Sequence, residues 1–315
     1  MKLYKIGFIG IGSIGKRHLQ NTVSILQKRN ISYNIDVFRS GMGKALESEL
    51  LEVIDNVFYS FEDGGSNYDI VFITNPTNLH FETIRRFAKR TKNMFIEKPI
   101  FDDVNKSPDS LELNKSGIYY VACPLRYSDV IQYIKNKIKL EEIYSCRVIC
   151  SSYLPDWRPT IDYRDTYSAH VEQGGGVSID LIHEWDYLYY LLGLPKRVFN
   201  IRGRFSDLEI SSDDLSVYIA EYDKMVVEIH LDYFGRYPIR ELQFFTKEEV
   251  IVGDLLKSEV RYLKSGEKVS FRESRNDFQV KELENFFDAI EGKVGNKNDI
   301  QSALKVLKIA QEGKV

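Results

Sequence analysis

Three sets of residues in this chain have types and spacings suited to chemistry. The first is Gly10-Ile11-Gly12-Ser13-Ile14-Gly15, which follows an apolar run at residues 6–9 and opens a helical stretch. In the pattern G-x-G-x-x-G the first glycine permits a tight turn, the second lets the backbone approach a pyrophosphate, and the third lets helix and strand pack closely. The helix start, around Ser13 and Ile14, adds free N–H groups and a partial positive charge that suit an anion. The second is Lys98, directly after a predicted strand end, with Pro99 restricting its exit. The third is His183, on a predicted helix shortly after Gly174-Gly175-Gly176, with Asp180 three residues before it. Loss of a hydride from a secondary alcohol requires loss of a proton from its oxygen. Histidine titrates in the right range for that proton, and a nearby lysine stabilises the developing alkoxide. The triple glycine is expected to let the backbone come close to a bound dinucleotide.

These residues need elements to position them. The first third of the chain alternates, with strands expected over 6–9, 33–38, 69–74, 93–96 and 118–122 and helices over 18–28, 44–51 and 81–89. Strict alternation implies parallel strands with right-handed crossovers, and hence a doubly wound Rossmann sheet over residues 1–122. Ligands bind such sheets at the carboxyl ends of the strands. From residue 123 the pattern changes: a long strand over 143–153, a helix over 177–192, then strands over 217–221, 224–233, 242–246, 249–253, 260–263 and 269–271. This predicts an α+β domain over 123–315 with an open, mostly antiparallel sheet. Two helices, over 280–290 and 300–311, close the chain and are expected to pack back toward the first domain. The second domain is expected to wall the ligand cleft, bind substrate and form oligomers.

The tip of the second strand bears on the cofactor. It reads Asp36-Val37-Phe38-Arg39-Ser40, so Asp36 falls inside the strand and Arg39 and Ser40 stand at its end. NAD sites usually carry an acid at that tip. An arginine and a hydroxyl suit a 2′-phosphate instead. The reading favours NADP(H) over NAD(H), with a solvated Arg39 and an NAD(H) site as the alternative.

Further motifs follow in order. Thr74-Asn75-Pro76-Thr77-Asn78-Leu79-His80 succeeds one strand, Glu97-Lys98-Pro99 the next, and Asp180 is followed by His183-Glu184-Trp185-Asp186. With the glycine loop, this set resembles the Gfo/Idh/MocA family, the relatives of glucose-fructose oxidoreductase and inositol dehydrogenase. The resemblance implies an NAD(P)-dependent oxidoreductase of sugars, cyclitols and polyols. It implies that Lys98 contacts nicotinamide and substrate hydroxyl, that His183 donates or accepts the proton, and that Asp180 supports it. Thr74, Asn75, Pro76, His80 and Glu97 would line the cofactor. Many members space the aspartate and histidine four apart rather than three; both spacings keep one helical face, and Asp180 and Asp186 both stay candidates for the second acid. Residues 153–164 look like a subgroup tied to surface-polysaccharide and sialic-acid-type sugars.

Other residues keep two readings. Arg126 and Tyr127, at the crossover between domains, are expected at the cofactor and substrate respectively, or serve only as linker. Trp157, Arg158, Tyr163 and Arg164 clamp a ligand or pack on the sheet. Arg158 and Arg164 are the expected grips for an acidic substrate. His80 lines the cofactor or packs beside its turn, His170 reaches the cleft or does not, and His18 and His230 show no companions.

Composition excludes several classes. With 43 Lys and Arg against 46 Asp and Glu, no basic excess draws the chain to nucleic acid. No apolar run approaches the roughly 20 residues of a membrane span, and the first residues leave no room for a leader's apolar core. Cys123, Cys146 and Cys150 lack disulfide or metal spacing, which fits a reducing cytoplasm and no bound metal. A homo-oligomer, dimer or tetramer, is expected to cover the open sheet. Two further uses of the dinucleotide stay open: a retained nicotinamide without net redox, or a non-catalytic sensor.

Overall fold

The structure, a computed structural model, describes residues 2–41 and 45–315. Two compact units are distinguished: residues 1–122 with 280–304, and residues 123–279 with 305–315.

The first unit contains β1 (Leu3–Ile9), α1 (Ser13–Lys28), β2 (Ser32–Phe38), α2 (Ser48–Leu51), β3 (Asn56–Phe58), β4 (Ile70–Ile73), α3 (His80–Phe87), β5 (Asn93–Ile96) and β6 (Ile118–Val121). The strands form one parallel sheet in the order β3-β2-β1-β4-β5-β6. That is the doubly wound dinucleotide-binding order, with its switch point between β1 and β4. All four residues of β4 are buried, as a strand covered on both faces must be. Phe8 stacks on Phe72 with centroids 4.4 Å apart, and Phe286 meets Phe95 edge-on at 5.3 Å.

The second unit contains α4 (Asp129–Lys137), β7 (Ile143–Tyr153), α5 (Val177–Asp180), α6 (His183–Leu192), β8 (Arg197–Gly203), β9 (Leu215–Glu221), β10 (Val226–Asp232), β11 (Phe234–Thr246), β12 (Val250–Asp254), β13 (Glu259–Tyr262) and β14 (Lys268–Ser270). Its sheet runs β14-β13-β12-β11-β7-β10-β9-β8. Every neighbouring pair is antiparallel except β7 and β10, so the sheet is mixed but mostly antiparallel. One face carries helices: Trp185 of α6 meets Tyr218 edge-on at 5.2 Å, and Gly253 of β12 leaves room for Val130 and Ile134 of α4. The chain closes with α7 (Arg275–Ile290) and α8 (Ile300–Glu312), whose residues are shared between the units.

Several elements differ from expectation. The helix expected over 44–51 is only α2, and Lys44 lies outside the described residues. The helix expected over 177–192 is two: Leu181 leaves helical backbone at φ −96°, ψ 26°. Asp180 and His183 are therefore not on one continuous helical face. On the near side of the break, buried Asp180 accepts from two tyrosine hydroxyls; on the far side His183 starts a new helix. The short edge strand β3 and helix α4 are additional to the expected elements; α4 is capped by Ser128, whose hydroxyl accepts from the Ile131 amide at 3.3 Å. Among the described residues no helix is long and apolar enough to cross a membrane.

Candidate active site

In the first unit the glycine loop sits where β1 gives way to α1. Gly10 has φ +85°, and a Cβ there would lie 2.8 Å from the Asn75 backbone. A Cβ on Gly15 would lie 2.5 Å from the Gly10 carbonyl. The fold itself demands both glycines. Gly12 differs: its φ is an ordinary −71°, and a Cβ there would meet nothing within 4 Å. No atom of the described residues needs that residue small, so the space there suits a ligand. Gly12 caps α1 without a side chain, and the first turn of this 16-residue helix holds no acid. Free N–H groups and a positive helix end thus face an open surface at Gly12, Ser13 and Ile14. The residues present fit a dinucleotide pyrophosphate.

The neighbouring loops brace this cradle. The Thr74 hydroxyl donates to the Gly10 carbonyl at 2.6 Å, so it fixes the loop from below. Asn75 donates to Thr83 Oγ1 at 2.8 Å, while its Oδ1 is buried without a partner among the described residues. Pro76 is exposed at the turn. His80 is fully buried, with Nε2 3.0 Å from the Asn75 carbonyl and Nδ1 3.1 Å from the Pro99 carbonyl. It is thus a brace between two loops, and burial pushes its pKa down against the pull of those carbonyls and Glu97. Glu97 faces inward to His18 and to the Lys98 amide. His18, read as solitary in the sequence, has a companion 79 residues away.

At the ribose end Asp36 is buried and accepts from the Tyr68 hydroxyl and from Asn56, both at 2.8 Å. The one acid of β2 is therefore already committed. Arg39 follows the strand, its amide bonded to the Phe58 carbonyl at 3.0 Å, and Ser40 beside it is exposed.

In the second unit His183 begins α6 and is partly exposed. Its neighbours Glu184 and Asp186 are buried and each grips an arginine. Arg240 of β11 meets Glu184 through Nε at 2.7 Å and Nη2 at 3.2 Å. Burial would lower the Arg240 pKa, but Glu184 outweighs it and keeps the guanidinium charged. Arg126 meets Asp186 through Nε at 2.8 Å and Nη2 at 2.7 Å. Arg126, expected at the cofactor, is therefore buried in an ion pair within this unit, and Asp186 is its counter-charge. Asp180 accepts from Tyr167 at 2.7 Å and from Tyr233 at 2.6 Å. The triple glycine has a local cause: a Cβ on Gly175 would lie 2.1 Å from the Tyr167 carbonyl, and one on Gly176 (φ +135°) would lie 2.4 Å from Asp213 Oδ1. Packing within the unit accounts for these glycines without a cofactor.

Leu154, Pro155, Trp157, Arg158, Tyr163 and Ser168 line a shallow pocket. Trp157 donates to Ser152 at 2.9 Å and stands edge-on to Tyr233 at 5.2 Å. Arg158 lies 5.9 Å above the Tyr167 ring and has no carboxylate partner among the described residues. Arg164 does: it pairs with Asp162 at 2.6 Å and Glu209 at 2.8 Å, and it holds Asp162 down to about 2. Its expected grip on an acidic substrate is thus replaced by two internal ion pairs. His170 is likewise used locally, with Nε2 donating to the Arg164 carbonyl at 2.6 Å. Tyr163 accepts from the Glu209 amide at 3.2 Å, and Tyr127 is half-buried in the turn before α4. Sequence reasoning missed His18, Tyr167, Tyr233 and Arg240. Only His18 carried a local signal, one turn beyond the glycine loop.

The fold and the cradle define a dinucleotide-binding Rossmann protein with a second, mostly antiparallel α+β unit. Residues 4–117 match the Gfo/Idh/MocA model, described as an oxidoreductase family with an NAD-binding Rossmann fold. It is 27% identical over 190 residues to an uncharacterized oxidoreductase, YrbE, of Bacillus subtilis, covering 59% of this chain and 53% of the relative. It is 25% identical over 197 residues to a myo-inositol 2-dehydrogenase of Thermotoga maritima, covering 60% and 55%. The matched stretch spans about half the length of these curated relatives. A levoglucosan dehydrogenase solved with NADH and levoglucosan shares the fold over 98% of this chain and 96% of its own, with a TM-score of 0.83 at 16% identity.

Proposed function

We propose that the chain is an NAD(P)-dependent oxidoreductase acting on a secondary alcohol or ketone of a sugar or polyol. The observation that carries this is the glycine cradle, in which no described residue requires Gly12 to be small. The named relatives, which act on inositol and levoglucosan, support the substrate class. A bound nicotinamide supplies the hydride donor or acceptor. His183 takes the hydroxyl proton in oxidation and returns it in reduction. Lys98 donates to the substrate oxygen and stabilises its developing negative charge. Asp180, held by two tyrosines, supports His183. Trp157 and Tyr163 offer apolar faces to a sugar ring, Tyr127 contributes beside them, and the unpaired Arg158 suits an acidic group. In this reading residues 1–122 bind the dinucleotide and residues 123–315 bind substrate.

NADP(H) is the preferred cofactor. Asp36 is occupied by Tyr68 and Asn56, so no acid of β2 is left for a ribose 2′-hydroxyl, and Arg39 with Ser40 stands in its place. Titrating the protein with NADPH and NADH by nicotinamide fluorescence tests this. NADPH is expected to bind about tenfold tighter, and Arg39→Ala to remove the difference. Tighter NADH binding refutes the preference; no binding of either refutes the oxidoreductase reading. The exposed apolar residues Phe199, Ile201 and Ile219 on β8 and β9 support a homo-oligomer that covers this edge of the sheet. Cys123, Cys146 and Cys150 form no disulfide, which suits a reducing cytoplasm.

A further inference from the structure

The Glu97-Lys98-Pro99 segment is braced by two buried histidines from different helices. On one side His80 of α3 faces the Asn75 and Pro99 carbonyls. On the other, His18 of α1 has its ring 1% exposed and its Nε2 2.5 Å from Glu97 Oε1. His18 Nδ1 is buried without a partner among the described residues. The tautomer that donates from Nε2 leaves Nδ1 a bare lone pair, which is the less costly atom to leave unmet.

The second Glu97 oxygen, Oε2, accepts from the Lys98 amide at 3.2 Å. One carboxylate thus links a helix to the backbone of the lysine. Burial alone would raise the Glu97 carboxyl; the His18 bond and the nearby Lys98 charge outweigh it and hold it below the usual carboxylate range. The titratable groups facing this carboxylate are His18 from α1, His80 from α3 and Lys98 beside it.

We propose that His18 is a positioning residue for Lys98: it fixes the Glu97 carboxylate, which holds the Lys98 amide and serves as the counter-charge of the Lys98 ammonium. The inference rests on the reading of Lys98 as the active-site lysine. A fixed anion favours the ammonium form, so removing or loosening it lowers the pH at which Lys98 becomes a free amine.

The test is trace acylation of the full-length protein with acetic anhydride across a pH series. Modification is read at Lys98 by peptide mass spectrometry, with exposed Lys115 as the internal standard. Glu97→Gln is expected to lower the Lys98 midpoint by about one pH unit. His18→Leu, and His18→Asn with an amide too short to reach Glu97, lower it in the same direction. His18→Gln, whose amide nitrogen can occupy the Nε2 position, restores it. A wild-type midpoint in folded His18→Leu or His18→Asn overturns the proposal even if the melting temperature falls, because a purely structural histidine changes stability and not the amine. A shift in Glu97→Gln alone also overturns it, since Glu97 would then act without His18. The labelling needs neither cofactor nor substrate. Failure of the oxidoreductase reading shows separately, as absent NADPH and NADH binding.

Discussion

Lys98 and His183 are held in place by different physics. In the first unit the supports are two buried imidazoles, one bonded to a carboxylate and one set between backbone carbonyls near strand ends. In the second they are two buried ion pairs, Arg240–Glu184 and Arg126–Asp186, set on either side of the helix that His183 begins. An imidazole holding a carbonyl can lose its partner at modest cost. A buried guanidinium that loses its carboxylate is stranded as an uncompensated charge. The first support therefore fails locally, whereas the second takes the surrounding fold with it.

The largest effect that would break this comparison is in the second unit. Arg240→Met leaves Glu184, which is wholly buried, without its counter-charge and should cost about 3–5 kcal/mol in urea unfolding. Replacing both partners together, as Arg240→Met with Glu184→Leu, should recover most of that loss. A single variant as stable as the parent would mean that the pair does not hold α6. The next effect separates two glycines of one loop. Gly15→Ala pushes a Cβ into the Gly10 carbonyl and should destabilise by about 1–3 kcal/mol. Gly12→Ala should leave the melting temperature nearly unchanged yet weaken dinucleotide binding about tenfold or more in the fluorescence titration. Equal stability losses in the two variants would show that Gly12 serves packing. The smallest is Tyr233→Phe, which removes one of two hydroxyls from Asp180 and should cost about 1–2 kcal/mol, read as a lower urea midpoint. No change would mean that Tyr167 alone satisfies that carboxylate.

The two regions also differed in how much their sequence disclosed. The glycine loop, the strand ends and Lys98 were legible because each part lies within a few residues of the next and local geometry dictates the residue type. The NAD(P) class of ligand followed from spacing alone. In the second unit the helix break at Leu181 was not legible, and Tyr233, which bonds Asp180 beside the break, is 53 residues on. Arg126 was misplaced for the same reason: its partner Asp186 lies 60 residues away. Arg164 was misplaced although its partner Asp162 is close in sequence; side-chain pairing, unlike strand or helix periodicity, leaves no regular pattern to read. Gly175 and Gly176 were assigned to a ligand when the nearer cause was Tyr167 and Asp213.

The link from His18 to Glu97 also constrains the order in which the chain can be assembled. His18 leaves the ribosome with its helix, but its partner is 79 residues later, at the end of a strand two places across the sheet from β1. A nascent chain that ends just after β4 already has the glycine turn and the Thr74 brace beneath it. It has no support for a lysine until β5 docks on β4. The cradle for the dinucleotide is thus an early product of synthesis and the seat of Lys98 a late one, so a nicotinamide dinucleotide can find its place before the residues that would work on it are set.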